Sequence, residues 1–147
     1  MTTDERSLHS GDFPVHWPVL TRWADNDMFG HLNNAVYYAL FDTAINGWIN
    51  TTTDTDPLTA PWLGVVAESG CRYLGELKFP DPLAVGLAVE RLGRTSVTYR
   101  LGVFQTPDAG DQPVAAVGHW VHVYVDRTHR RPVPIPPEIR TLLETAR

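Results

Sequence analysis

The chain has almost no cysteine, no dense block of one charge and no long apolar run. Cys71 is the single cysteine in 147 residues, which excludes an internal disulfide framework and fits a reducing compartment. Lysine and arginine total 12 against 17 acidic residues, for a net charge of −5. Nucleic acids and anionic membranes call for a concentrated basic face, so neither is expected as a partner. No stretch approaches the ~20 apolar residues of a membrane span. The first dozen residues are polar and lack the apolar segment of a signal peptide, so residues 1–12 are expected to form a loose tail. Together these absences lead to the expectation of a soluble, cytoplasmic protein. Repeats and low-complexity linkers are also missing.

What remains is 43% hydrophobic, enough for one real core and too little chain for two, so 13–147 reads as a single domain. Residues 16–23 have strand-like content without a helical period. From Asn34 to Asn50 the apolar residues fall in pairs every four positions: Val36/Tyr37, Leu40/Phe41, Ala44/Ile45 and Trp48/Ile49. That is a broad helical stripe, and such a helix needs to be wrapped. Residues 51–61, rich in Thr and Asp and closed by Pro61, read as a loop. Four β-rich stretches follow, at about 63–77, 83–92, 95–105 and 114–125. Gly93 and the segment Pro107-Asp108-Ala109-Gly110-Asp111 supply turns that make these strands antiparallel. Pro132, Pro134 and Pro136 enforce an extended segment, and Pro137 opens a last helix to about Ala146. One long helix and a strand meander make an α+β fold, with the sheet curled around the helix.

Residues 22–38, Arg-Trp-Ala-Asp-Asn-Asp-Met-Phe-Gly-His-Leu-Asn-Asn-Ala-Val-Tyr-Tyr, carry the chemistry. Two carboxylates, a histidine and asparagines crowd a glycine turn directly before the helical stripe. Asn33 suits an N-cap, because its short side-chain oxygen can accept an orphan N–H of the first turn. Gly30 permits a sharp reversal. Free N–H groups and the positive dipole end at a helix start favour an anion, or a carbonyl oxygen gaining negative charge. Asp25 and Asp27 lie within reach of that spot, where an aspartate can serve as base or nucleophile. Equally, these residues can simply cap and brace a strand-to-helix turn.

The pattern Asp27-x-x-Gly30-His31-x-Asn33-Asn34-x-x-Tyr37 resembles the active-site segment of hotdog-fold acyl-CoA thioesterases of the 4-hydroxybenzoyl-CoA thioesterase type. The resemblance runs from about Val15 to about Leu143, through the helix, a strand ending near Arg72-Tyr73-Leu74, a strand after Phe79-Pro80-Asp81, the Gly93-Arg94-Thr95-Ser96 hairpin and the turn from Val125-Asp126-Arg127 to Arg131-Pro132-Val133-Pro134. It implies a hotdog fold, an antiparallel sheet around one long helix. It also implies hydrolysis of an acyl-CoA to a free acid and coenzyme A, with no cofactor because coenzyme A belongs to the substrate. In this family the carboxylate matching Asp27 attacks the thioester or activates water, and the backbone N–H matching Asn34 polarises the carbonyl. Some relatives carry histidine at the position of Asn34; this chain has His31 instead. The resemblance further implies a homodimer or dimer-based tetramer, each site combining the helix start of one protomer with strands of the other.

On this reading Asp27, Asn34, His31 and Asn33 are the catalytic set, with Asp25, Gly30, Tyr37, Trp48 and Trp62 shaping the substrate pocket and residues 51–62 gating it. Asp42 on the helix is the rival carboxylate, and Glu68 a weaker one. Six histidines raise the question of a metal, but His119 and His122 are three apart on a strand and face opposite sides, so no metal is expected. Cys71 reads as a small core residue. Arg91, Arg94, Arg127, Arg130 and Arg131 could meet a coenzyme A phosphate or form solvated surface charge. Two other classes stay open: a non-catalytic acyl-binding module, and a hotdog hydratase. The hydratase pattern places aspartate and histidine five apart, whereas Asp27 and Asp25 stand four and six from His31.

Overall fold

A computed structural model describes residues 4–106 and 110–147. Its elements are β1 (Val15–Val19), α1 (Val36–Thr53), β2 (Trp62–Tyr73), β3 (Leu83–Leu92), β4 (Ser96–Gln105), β5 (Ala116–Asp126) and α2 (Pro137–Glu144). The five strands form one antiparallel sheet in the order β1-β3-β4-β5-β2, with β1 and β2 as its edges. This is the α+β hotdog arrangement: the sheet curls around α1.

The apolar pairs of α1 explain the wrapping. Tyr37, Leu40, Phe41, Ala44, Ile45, Trp48 and Ile49 are all buried, on a stripe broad enough to meet a curved sheet. Burying each large member stabilises the fold by roughly 1.5–3 kcal/mol. Gly118 on β5 is what lets the helix come close, since a Cβ there would stand 2.7 Å from the Phe41 ring.

Element boundaries depart from the sequence expectations where side chains bond to the backbone. The first strand, expected over 16–23, ends at Val19 because the Asp25 carboxylate accepts the Arg22 N–H (2.8 Å) and closes a 3-10 turn over Trp23–Asp25. Expected from Asn34 to Asn50, α1 instead starts at Val36 and runs to Thr53. At its end the hydroxyls of Thr51 and Thr53 donate to the Gly47 and Ile49 carbonyls, both at 2.7 Å, and satisfy themselves within the helix. The residues 51–53 expected in a loop are therefore helical, and Asp54 stops the helix in the left-handed region (φ 52°). β2 ends at Tyr73, short of 77, because the N–H groups of Leu74 and Gly75 both turn to the Ala115 carbonyl.

The tail expected to be loose over 1–12 is corrected for its described part. Leu8 and Phe13 share a second small core with Phe104 and Val114, and the Ser10 hydroxyl donates to Asp111 at 2.8 Å. The backbone adds the Ser10 N–H to the Gln112 carbonyl (2.7 Å) and the Val114 N–H to the Leu8 carbonyl (3.2 Å). Of the turn expected at Pro107-Asp108-Ala109-Gly110-Asp111, the first three residues lie outside the described ones, while Gly110 has φ 93°. Among the described residues no helix is long and apolar enough to cross a membrane.

His119 and His122 face opposite sides of β5, as their spacing requires: His119 is exposed, and His122 is only 2% exposed in the core. Among the described residues no cluster of three His, Cys, Asp or Glu could hold a metal ion. Burial pushes the His122 imidazole down from 6.5 to about 4, so the unfolded chain takes up a proton here at a higher pH than the folded one. Stability is then full above about pH 6.5 and falls toward pH 4, by on the order of 3 kcal/mol from this residue. Urea unfolding at about pH 7 and about pH 4.5 should show a larger loss for the wild type than for His122→Phe. Equal losses in the two proteins would remove His122 as the titrating group.

Candidate active site

The segment before α1 folds back on itself and is then pinned to the chain after β2. Within the fold-back, the Asn33 N–H donates to the Asp25 carbonyl (2.9 Å) and the Asp27 N–H to the His31 carbonyl (2.8 Å). Gly30 turns the corner at φ 84°; a Cβ there would meet nothing within 4 Å, so the requirement is backbone conformation alone. The pinning has three parts. The Leu32 N–H donates to the Leu77 carbonyl (2.8 Å). The Asn26 side chain both accepts the Phe79 N–H (3.0 Å) and donates to the Phe79 carbonyl (3.3 Å). The Tyr73 hydroxyl donates to the Asn34 carbonyl at 2.8 Å.

Asn33 does cap the turn: its side-chain oxygen accepts the Ala35 N–H at 3.0 Å, and its carbonyl accepts the Val36 N–H. Between these two satisfied groups lies the backbone N–H of Asn34, an exposed residue. It donates to no acceptor among the described residues. It is therefore an orphan donor at the positive end of an 18-residue helix.

Asp27 is half-buried. Its Oδ1 accepts the Phe29 N–H at 2.9 Å, and its second oxygen has no partner among the described residues. Asp27, Asn26 and Gly30 line a pocket of about 230 Å³ together with Trp23 and Met28. Trp23, Met28 and Phe29 are large apolar side chains left 83%, 100% and 84% exposed, an apolar rim of the kind that marks a contact surface.

The other expected site residues separate into groups. Asp25, 6% exposed, is a brace: the Arg22 guanidinium hydrogen-bonded to it at 2.9 Å holds its carboxyl below the usual carboxylate range. It faces the groove along Ala35, Val36 and Ala39. His31 touches Asp27 through its backbone carbonyl, while its imidazole Nε2 lies 3.0 Å from a Glu76 oxygen. Tyr37 is buried and packs edge-to-face on Tyr73 at 5.1 Å. Burial, reinforced by nearby Cys71 and Glu76, pushes its phenol up to about 12, so it stays neutral. Burial likewise pushes the Cys71 thiol up to about 11, which fits a packed residue and not a nucleophile.

Trp48 and Trp62 are not at this site within one protomer. Trp48 is buried in the core near the far end of α1, ~20 Å along the helix from its start. Trp62 begins β2 at the end opposite Tyr73 and stacks edge-to-face on Tyr124 at 5.8 Å. Asp42 is exposed on α1 and holds the Asn46 amide at 3.0 Å. Glu68 pairs with His119 on β2 and β5. Arg127 bonds the carbonyls of Ala60 and Pro57, a structural use.

Tyr73 and Glu76 were missed in the sequence. They line a cleft of about 730 Å³ together with Arg6, Gln105 and Gln112. No local sequence signal marks them, since the Tyr73 bond to the Asn34 carbonyl spans 39 residues.

The chain matches the family model of the thioesterase-like superfamily over residues 21–143. No curated protein matches it. Among solved structures, the PA5185 protein of Pseudomonas aeruginosa strain PAO1 is 38% identical, with 95% of each chain covered and a TM-score of 0.89. The PA2801 protein of the same species is 30% identical, covering 88% of this chain and 95% of that one, at a TM-score of 0.74. A thioesterase of Thermus thermophilus, solved with coenzyme A and zinc, is 29% identical over 89% of this chain and 98% of that one, at 0.72. The match to the superfamily model spans most of the sequence and includes the whole turn that carries Asp27 and Asn34, and this chain belongs to the thioesterase-like superfamily.

Proposed function

We propose that the protein hydrolyses acyl-CoA thioesters to a free carboxylic acid and coenzyme A. The observation that carries this reading is the orphan N–H of Asn34 at the start of α1, on the same folded-back turn as the half-buried Asp27. The coenzyme A bound by the Thermus thioesterase supports that choice of thiol. The thioester carbonyl oxygen accepts the Asn34 N–H, and the helix dipole stabilises the negative charge that forms on it. The free oxygen of Asp27 then either takes a proton from an attacking water or attacks the carbonyl carbon itself. By the first path the C–S bond breaks as the tetrahedral intermediate collapses, and the thiolate leaves and is protonated. By the second, a mixed anhydride forms with loss of the same thiolate, and water then cleaves it to the acid. Asn33 positions the donor through its cap, Gly30 gives the turn its shape, and Glu76 holds His31 beside it.

The site is completed by a second copy. β2 is an edge strand of 12 residues, and its outer edge offers a row of unpaired backbone groups ~40 Å long. Val66 and Tyr73 on it are large apolar residues left exposed. Two β2 strands paired antiparallel about a two-fold axis set the Tyr73 end of one against the Trp62 end of the other. The helix start of each protomer then faces the partner's Trp62 region, which unites the residues that one protomer keeps apart. A homodimer, alone or doubled into a tetramer, follows.

Asp27→Asn keeps size and removes the base, so kcat should fall roughly 10²–10⁴-fold while the protein stays folded. Asp42→Asn should cost far less. Full turnover by a folded Asp27→Asn protein, followed as free thiol released from a panel of acyl-CoAs, would sink the reading; silence of the wild type across the panel would favour an acyl-binding module. Light scattering should give at least twice the 16.4 kDa protomer mass. A fully active species of protomer mass would contradict the shared site.

A further inference from the structure

Asn34 lies in the turn immediately before the helix cap at Ala35, which places it outside the intrahelical hydrogen-bond ladder. Its orientation is therefore set by contacts from outside the helix. Before it, the side-chain oxygen and carbonyl of Asn33 accept the N–H groups of Ala35 and Val36. On its own carbonyl the hydrogen bond comes from Tyr73, at 2.8 Å and 39 residues away along the chain. A carbonyl can only accept, so the phenol is the donor. The Tyr73 ring meets the helix start at a second point, packing edge-to-face on Tyr37 at 5.1 Å, and Tyr37 is buried in the first turn of α1. The backbone behind the ring is fixed as well. Tyr73 pairs with Ala116 as the last residue of β2, and the N–H groups of Leu74 and Gly75 both close on the Ala115 carbonyl. A phenol rooted in the sheet thus grips the same residue whose N–H stands open.

We infer that Tyr73 is a positioning residue: by holding the Asn34 carbonyl, its hydroxyl fixes the direction in which the Asn34 N–H meets the thioester oxygen. This rests on the thioesterase reading of the turn. The two peptide groups of one residue are joined through only two soft dihedrals, so tethering the carbonyl limits how far the N–H can swing. The limit matters most where charge develops. A donor aimed in advance stabilises the oxyanion without reorganising, whereas a loose one has to be ordered during the reaction. The ground-state thioester carries little charge on that oxygen, so its binding depends far less on the aim. Tyr73 acts through Asn34 and not on the substrate, and its effect falls on kcat.

The test is Tyr73→Phe, which keeps the ring on Tyr37 and removes only a hydroxyl, at a position 44% exposed. Free thiol release is followed for acetyl-, butanoyl- and benzoyl-CoA, with rates normalised to the folded protein by circular dichroism. For whichever of these the wild type turns over, kcat should fall roughly 10-fold, less than the ~10²–10³ of a deleted oxyanion donor, while KM stays within about 2-fold. Placing 4-aminophenylalanine at position 73 restores an N–H donor on the same ring and should bring kcat back to within about 3-fold of the wild type. A purely structural role would lower the melting temperature and the folded fraction and leave kcat per folded molecule unchanged, and that result overturns the inference. A change carried mainly by KM overturns it too, as does a failure of 4-aminophenylalanine to restore kcat. Should Tyr73→Phe not fold, 4-methoxyphenylalanine takes its place, since it keeps the ring and oxygen but cannot donate. It should then be roughly 10-fold slower than the 4-aminophenylalanine protein, and equal rates overturn the inference. In all these cases the thioesterase reading stands. No hydrolysis of any acyl-CoA by the wild type overturns both.

Discussion

Everything at the candidate site depends on how the fold-back over residues 25–33 is tied to the chain leaving β2. Leu32 bonds Leu77, Asn26 bonds Phe79 twice, and the Tyr73 hydroxyl bonds the Asn34 carbonyl. These contacts fix the first turn of α1 from outside the helix. They also use up the neighbouring groups selectively: Asn33 satisfies Ala35 and Val36, and the Tyr73 hydroxyl takes the Asn34 carbonyl. The Asn34 N–H stays open among the described residues. A donor held rigidly and left open is useful when negative charge develops on a bound oxygen.

The same constraint explains why the two carboxylates of the turn differ. Asp25 is turned inward and spent on Arg22, where its charge is compensated and its position locked. Asp27, two residues on, keeps one oxygen on a backbone N–H and the other open toward a pocket. One carboxylate braces the turn and its neighbour is available for chemistry, which is the division of labour a strand-to-helix site requires.

Much of this was legible in the sequence, and the remainder fails for specific reasons. The paired apolar residues of α1 give its buried face directly, and β3 occupies the expected 83–92. The ends of elements were not legible where one side chain decides: Thr51 and Thr53 extend the helix by bonding backward, and Asp25 ends the first strand by capping a 3-10 turn. The turn with Asp27, Gly30, Asn33 and Asn34 was legible as a motif because its residue types are unsuited to a core. Tyr73 and Glu76 were not, because nothing local links the end of β2 to a helix 39 residues upstream of it. Trp48 and Trp62 were placed in the pocket from sequence proximity alone, and one protomer holds them at the opposite end of the helix and of the strand.

The central claim is that the Asn34 N–H receives the thioester oxygen while the acyl group lies against a second protomer. A crystal structure with a non-hydrolysable ketone analogue of an acyl-CoA tests it most directly. The account predicts two copies joined through β2, the analogue's carbonyl oxygen about 2.7–3.1 Å from the Asn34 nitrogen, and its acyl end beside Trp62 of the partner subunit. A carbonyl oxygen bound away from Asn34, or a site completed within one protomer, would contradict it.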